Sequence, residues 1–171
     1  SQEQNPDLFA ATCGGMGLTG LILRASINMV AVETAYIRQE LIKARNLDEI
    51  MTIFEESADW AFSVAWIDCM TQGEGMGRSI MMRGEHARRD ELVKPSAVKN
   101  PLVLPKKMKL NVPFNFPSIA LNSLTVRAFN MAYYNKVLKD KQEMVIDYDT
   151  FFYPLDGVLN WNRIYGSRGF T

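Results

Sequence analysis

The chain has 171 residues, 47% of them hydrophobic and 22% charged, a composition that suits a globular domain large enough to bury a core. Its 19 basic side chains balance 19 acidic ones, so no excess of charge points to nucleic acid or to an anionic membrane as partner. The longest apolar stretches, near 18–23 and 61–67, are too short to span a bilayer, no signal-like series opens the chain, and Cys13 and Cys69 are too few for a disulfide framework or a cysteine metal site. A cytoplasmic protein without a metal is the expectation.

In chain order, Asn5 and Pro6 predict the cap and first residue of a short helix through Leu8, Phe9 and Ala10. Gly14, Gly15, Gly17 and Gly20 then turn the chain into Leu21, Leu23, Ile27 and Met29, alternating with Arg24, Ser26 and Asn28, which predicts a half-buried strand. A second alternating run passes through Thr34, Tyr36 and Arg38. Asn46 with Glu49 three residues on has capping-box spacing and opens a helix over 47–58, with Leu47, Ile50, Met51, Phe54 and Ala58 as its apolar face.

Trp60, Phe62, Val64 and Trp66 share one face of the next strand and Ala61, Ser63, Ala65 and Ile67 the other, so both faces are expected to be covered. Gly73, Gly75 and Gly77 precede a strand from Ser79 through Ile80, Met81, Met82 and Arg83, which predicts a hairpin with a long loop. Over 88–117 the periodicity fades between Pro95, Pro101, Pro105, Pro113 and Pro117, the pattern of a long loop or mobile flap. Leu121, Leu124, Val126, Phe129, Ala132 and Tyr133 restore a helical pattern, and a charged stretch at 136–143 follows. The expected class is α+β, an antiparallel sheet from strands near 21, 34, 60 and 79 with helices packed on one face.

Gly15-Met16-Gly17-Leu18-Thr19-Gly20 fits the dinucleotide pattern GxGxxG. That pattern works only where a strand feeds the glycines and a helix leaves them, and here the order is reversed, so a Rossmann site is rejected. Two readings stay open: a helix C-cap with a tight turn, or a glycine loop that lets backbone approach a flat cofactor. The single histidine, His86, sits among Glu85, Arg88 and Arg89 and reads as a solvated side chain. No serine lies in a nucleophile elbow and neither cysteine has a catalytic signature, which argues against hydrolysis. Asp147, Asp149 and Asp156 lack calcium-loop spacing and read as turn and capping residues. Phe151, Phe152, Tyr153, Trp161 and Tyr165, interrupted by Pro154-Leu155-Asp156-Gly157 and Asn162-Arg163, are either core or the lining of an apolar groove.

Asp7-Leu8-Phe9-Ala10-Ala11-Thr12-Cys13-Gly14-Gly15-Met16-Gly17-Leu18-Thr19-Gly20 resembles the segment that closes the flavin domain in FAD-linked oxidases of the vanillyl-alcohol-oxidase type. Ser63-Val64-Ala65-Trp66-Ile67-Asp68, Phe152-Tyr153-Pro154-Leu155-Asp156 and Trp161-Asn162-Arg163-Ile164-Tyr165-Gly166 are similar to stretches of the decaprenylphosphoryl-ribose-oxidase branch. Members of that branch oxidise a ribose 2′-hydroxyl in the first half of an epimerisation to arabinose, a cell-wall arabinan precursor. The likeness runs from about residue 5 to residue 170 and is weak over 87–147.

The resemblance implies that residues 1–32 are the end of an FAD-binding domain, with helix, glycine loop and strand, and that 33–171 are a partial substrate-binding domain. It implies FAD contacts at Gly14, Gly15, Gly17 and Ile22, and substrate contacts at Trp66, Phe152, Tyr153 and Leu155. Met16 and the Phe152-Tyr153 pair depart from the branch, where a small polar residue and a Tyr-His pair stand. The family's pyrophosphate-wrapping loop and its catalytic histidine and lysine fall outside the matched motifs, so no catalytic residue is expected here. The start at Ser1 without methionine also reads as that of a fragment, expected neither to retain FAD nor to turn over substrate alone. For the longer protein the resemblance implies a small-molecule or lipid-linked sugar substrate, peripheral membrane association through it, and a reductase partner for epimerisation. A sugar-lactone oxidase of the same superfamily and a non-catalytic stand-alone binding module are the alternatives.

Overall fold

Pro6 supplies a fixed φ at the first turn of helix α1 (Pro6–Cys13) in the computed structural model, which describes residues 1–166. Asn5 occupies the cap position, but its side chain makes no cap hydrogen bond. The helix runs into turns in which the Leu18 amide donates to the Gly15 carbonyl (2.8 Å) and the Gly20 amide to that of Gly17 (3.2 Å). Met16 (φ 47°) and Gly17 (φ 84°) are both left-handed, a conformation that costs a glycine nothing. The strand expected at 21–29 does not form. A strand needs a neighbour to take its backbone hydrogen bonds, none pairs with this segment among the described residues, and Leu21 and Leu23 are 86% and 89% exposed. These elements belong to the first of two units, Ser1–Ala31.

The second unit, Val32–Thr171, contains strands β1 (Tyr36–Ala44), β2 (Phe62–Ile67), β3 (Ser79–His86), β4 (Leu110–Asn111), β5 (Lys141–Asp147) and β6 (Val158–Leu159). Four of them make one antiparallel sheet in the order β2-β3-β1-β5, while β4 and β6 form a small parallel pair. With its helices this is the expected α+β class. The hairpin of β2 and β3 is also as expected, but the fourth strand of the sheet is β5, in the stretch that reads as merely charged. Lys141 and Glu143 hide its apolar alternation. In the fold both share a face with Glu40, and the Lys141 ammonium lies 3.0 Å from the Glu40 carboxylate.

Register sorts the side chains onto two faces, because successive residues of a strand point to opposite sides. On one face helix α2 (Leu47–Glu56), capped by Asn46 accepting from the Glu49 amide (3.0 Å), packs Ile50 and Ile53 against Ala44 and Met81. The buried stripe is narrower than the expected one: Leu47, Met51 and Phe54 stay exposed, since the helix covers only β1 and β3. A second cluster on this face joins Tyr36, Ala87, Leu92 and Ala97, so the 88–117 segment, largely irregular as expected, is pinned at two points, one of them in the short helix α3 (Pro95–Lys99).

Between the clusters, Glu40 accepts from Arg83 Nε (2.8 Å) and pairs with Lys141, while Arg83 also donates to Ser57 Oγ (3.0 Å). Burial pushes the Glu40 carboxyl pKa up, and the hydrogen bonds from Lys141 and Arg83 outweigh that and hold it below its ordinary value. Trp60 receives the guanidinium groups of Arg38 and Arg83 over its ring, at 5.1 and 4.5 Å. β2 is an edge strand, so the expectation that both its faces are covered fails. Val64 and Ile67 are exposed on opposite sides of it.

Candidate functional site

The opposite face of the sheet carries Phe62, Val64 and Trp66 of β2, Ile80, Met82, Gly84 and His86 of β3, Ile37, Gln39, Leu41 and Lys43 of β1, and Gln142, Met144 and Ile146 of β5. Its two ends are built from aromatic rings. At one end, helix α5 (Tyr148–Phe152) starts from Asp147, whose side chain accepts from the Thr150 amide (3.0 Å) and is paired with Lys107. Burial pushes the Asp147 carboxyl pKa up, but hydrogen bonds from Lys107 and Thr150 prevail and hold it low. The helix lays Phe151 on Gly84. A side chain there is excluded, because a Cβ would come within 2.6 Å of Ile37 and 2.9 Å of the Phe151 ring. Phe152 then meets Phe62 edge-on at 4.8 Å, and His86 meets the same ring at 5.2 Å.

At the other end Trp66 packs on Tyr133 of helix α4 (Ser123–Asn135) at 4.7 Å, and Phe129 extends the stack at 5.8 Å from Tyr133. Phe62 and Trp66 are four residues apart on one strand face, so about 13 Å separates the two ends. Val64, 45% exposed, is the floor between them, beside its cross-strand partner Met82. The result is an open, largely apolar trough with aromatic walls and His86 at its rim. Such a surface can bind and orient a ligand but has no proton-transfer group on its floor. No cluster of His, Cys, Asp or Glu suited to a metal occurs among the described residues.

Trp66 and Phe152, both expected to face substrate, thus stand at opposite ends of one surface and do not touch each other's partners. Tyr153 and Leu155 continue past the Phe152 end and are exposed, Tyr153 lying edge-on to Tyr148 at 6.0 Å. Trp161 and Tyr165 pair with each other instead, in a turn tied down by Arg163, which donates to the carbonyls of Val112 (3.2 Å) and Pro113 (2.7 Å). Residues 167–170, the last of the sequence resemblance, lie outside the described residues.

In the first unit, Gly14 and Gly17 have open space where a Cβ would be, and Ile22 is exposed. Gly15 is required by the turn itself, since a Cβ would lie 2.3 Å from the Ala11 carbonyl oxygen.

Sequence reasoning overlooked Tyr133 and Asp68 as parts of this site. Asp68 ends the Ser63 to Asp68 motif, and its carboxylate is buried, 1% exposed, yet fully partnered. It accepts from the Met70 amide (2.9 Å), Thr71 Oγ1 (2.8 Å), Arg78 Nε (2.9 Å) and Asn130 Nδ2 (2.7 Å). Burial alone would raise its pKa, but these hydrogen bonds dominate and bring it down to about 2. Asp68 is therefore an anion at neutral pH and no general acid.

No family model matches the sequence. It is 37% identical over 167 residues to decaprenylphosphoryl-beta-D-ribose oxidase of Mycolicibacterium smegmatis, a match that takes in 96% of this chain and 36% of that protein. Over 86 residues, half of this chain and 23% of the relative, it is 29% identical to an uncharacterized protein in the mprA 5′ region of Streptomyces coelicolor. The chain therefore resembles an oxidase along nearly its whole length while spanning about a third of that oxidase.

Proposed function

We propose that this chain is the substrate-facing part of a longer FAD-dependent oxidoreductase that oxidises a sugar hydroxyl, with a lipid-linked pentose as its substrate. The observation that carries this reading is the likeness to decaprenylphosphoryl-beta-D-ribose oxidase through 96% of the chain. The trough supports it. Aromatic rings such as Trp66, Tyr133 and Phe152 suit the C–H faces of a sugar, and the Val64 and Met82 floor suits an apolar tail. Tyr153 and Leu155 would extend the contact beyond Phe152. In this reading residues 1–32 end the FAD-binding domain and 33–171 are part of the substrate domain.

Gly14, Gly15, Gly17 and Ile22 are the proposed contacts to FAD, with Gly14 and Gly17 offering backbone, Ile22 its side chain, and Gly15 shaping the turn. When bound, FAD supplies acceptance of the hydride from the carbinol carbon. This chain's own residues bind and orient the sugar; none is assigned a catalytic role. No helix among the described residues is long and apolar enough to cross a membrane. The proposed setting is the cytoplasm, with the longer protein meeting the membrane through its lipid-linked substrate and handing its keto product to a reductase.

The test compares this chain with the protein encoded by its whole reading frame, measuring flavin absorbance and turnover of a polyprenylphosphoryl ribose and of simple aldonolactones. The reading expects a colourless, inactive chain and a yellow longer protein that prefers the lipid-linked pentose. Peroxide formation from aldonolactones in preference would make it a lactone oxidase. A frame that begins near Ser1 would make it a binding module and end the oxidase assignment.

A further inference from the structure

Helix α4 is held to the sheet by polar contacts where a helix ordinarily uses an apolar stripe: the Asn130 amide and, one turn on, Tyr134, whose hydroxyl donates to the Ala44 carbonyl (3.2 Å) and whose ring lies under Arg78 (4.9 Å). Asn130 is its one buried residue, while Leu124, Phe129 and Met131 are exposed. The Asn130 Nδ2 group donates to Asp68 Oδ1, and the Asp68 carboxylate is itself fixed to the β2–β3 hairpin by Met70, Thr71 and Arg78. Tyr133 lies three residues beyond Asn130 and so on the same side of the helix, and its ring meets Trp66. We infer that Asp68 and Asn130 are positioning residues: their buried hydrogen bond, beside the Tyr134 anchor on Ala44, sets how the Tyr133 turn of α4 sits and thereby builds the Trp66–Tyr133 wall of the trough. Its consequence for substrate rests on the reading of the trough given above; the positioning itself does not.

The four sets of donors fill the acceptor sites of the Asp68 carboxylate, which leaves it none for a ligand. Its work is geometric. A buried polar bond of this kind specifies an arrangement more sharply than nonspecific apolar contact, and losing one partner strands the other.

The experiment uses this chain with Trp60→Phe and Trp161→Phe, leaving Trp66 as the sole reporter of three tryptophans. Asn130→Leu and Thr71→Val each remove one donor from the same carboxylate, but only Asn130 reaches α4. Tyr133→Leu supplies the signal of an unstacked Trp66. With far-ultraviolet dichroism retained, Asn130→Leu is expected to lose the near-ultraviolet band of the Trp66–Tyr133 pair and to open Trp66 to acrylamide, as Tyr133→Leu does, while Thr71→Val keeps both. An unchanged Trp66 in Asn130→Leu, or an equal loss in Thr71→Val, overturns the inference. If Asn130→Leu does not fold, Asn130→Ala is measured with the same two outcomes. In the longer oxidase, Asn130→Leu is expected to raise KM more than it lowers kcat; a lost stack with KM unchanged would leave the positioning intact and remove the trough from substrate binding.

Discussion

The two faces of the four-stranded sheet use the same strands to opposite ends. The α2 face closes on itself: two apolar clusters flank Glu40 and Arg83, and Trp60 accepts both neighbouring guanidinium groups. Among the described residues no buried side-chain nitrogen or oxygen lacks a hydrogen-bond partner. The aromatic face stays open, with Val64 exposed between its walls and the Phe152 wall itself part exposed. The α2 face, with a helix laid over it and a buried, ion-paired carboxylate at its centre, offers a ligand less. The aromatic face, where exposed Val64 lies between two aromatic walls, offers more.

The sharpest way to break this contrast is to unbalance the closed face. Glu40→Ala would leave Arg83 and Lys141 without their shared carboxylate in a place where Glu40 is 5% exposed. Removal of one partner from so buried a pair is expected to cost about 3 kcal/mol. Urea unfolding would show it as a lower midpoint with little change in slope. A loss below about 1 kcal/mol, the value of a surface pair, would mean that this face is as open as the other.

Acid offers a graded version of the same test. Asp68 titrates near pH 2 in the fold against 3.8 in an ordinary environment. Its folded pKa is depressed, so the carboxylate contributes fully above pH 4, and the contribution disappears as the pH falls from about 4 to about 2. The total is about 2 kcal/mol, and Glu40 and Asp147, also held low, act in the same direction. Stability from urea melts at steps across that range should fall steadily in the parent protein and less steeply in Asp68→Asn, where Glu40 and Asp147 still contribute. A parallel fall in both would remove Asp68 as the acid-sensitive tether.

How much of this contrast the sequence discloses depends on distance along the chain. β1, β2, β3 and α2 are legible because alternation, capping and glycine breaks are local. The strand expected at 21–29 and the one found at 141–147 exchange roles because alternation says that a segment can be a strand but not that a partner waits for it. Leu21 and Leu23 have the pattern without the partner, whereas Lys141 and Glu143 have the partner and disguise the pattern. In the candidate site, Trp66 and Phe152 stand out through motifs, and Phe62 shares the period-two face of Trp66. The contacts of Tyr133 with Trp66 and of Asn130 with Asp68 join positions more than 60 residues apart, and only tertiary packing reveals them.

The smallest expected effect discriminates best between wall and core for the aromatic end. Phe152 is 38% exposed, yet it makes edge-on contacts with Phe62 at 4.8 Å and Phe151 at 4.9 Å. Phe152→Ala should cost about 1 kcal/mol, the worth of such aromatic pairs and a part of the ring's burial. A core phenylalanine truncated in the same way would cost about 3 to 5 kcal/mol. Phe151→Ala is the internal standard, because Phe151 is buried on Gly84 and should show the larger figure. If the two variants lose the same stability in paired urea melts, Phe152 belongs to the core and the trough ends at Phe62. If they differ as expected, the Phe152 ring is held in place by its neighbours while one side stays free, which is the condition a binding wall must meet.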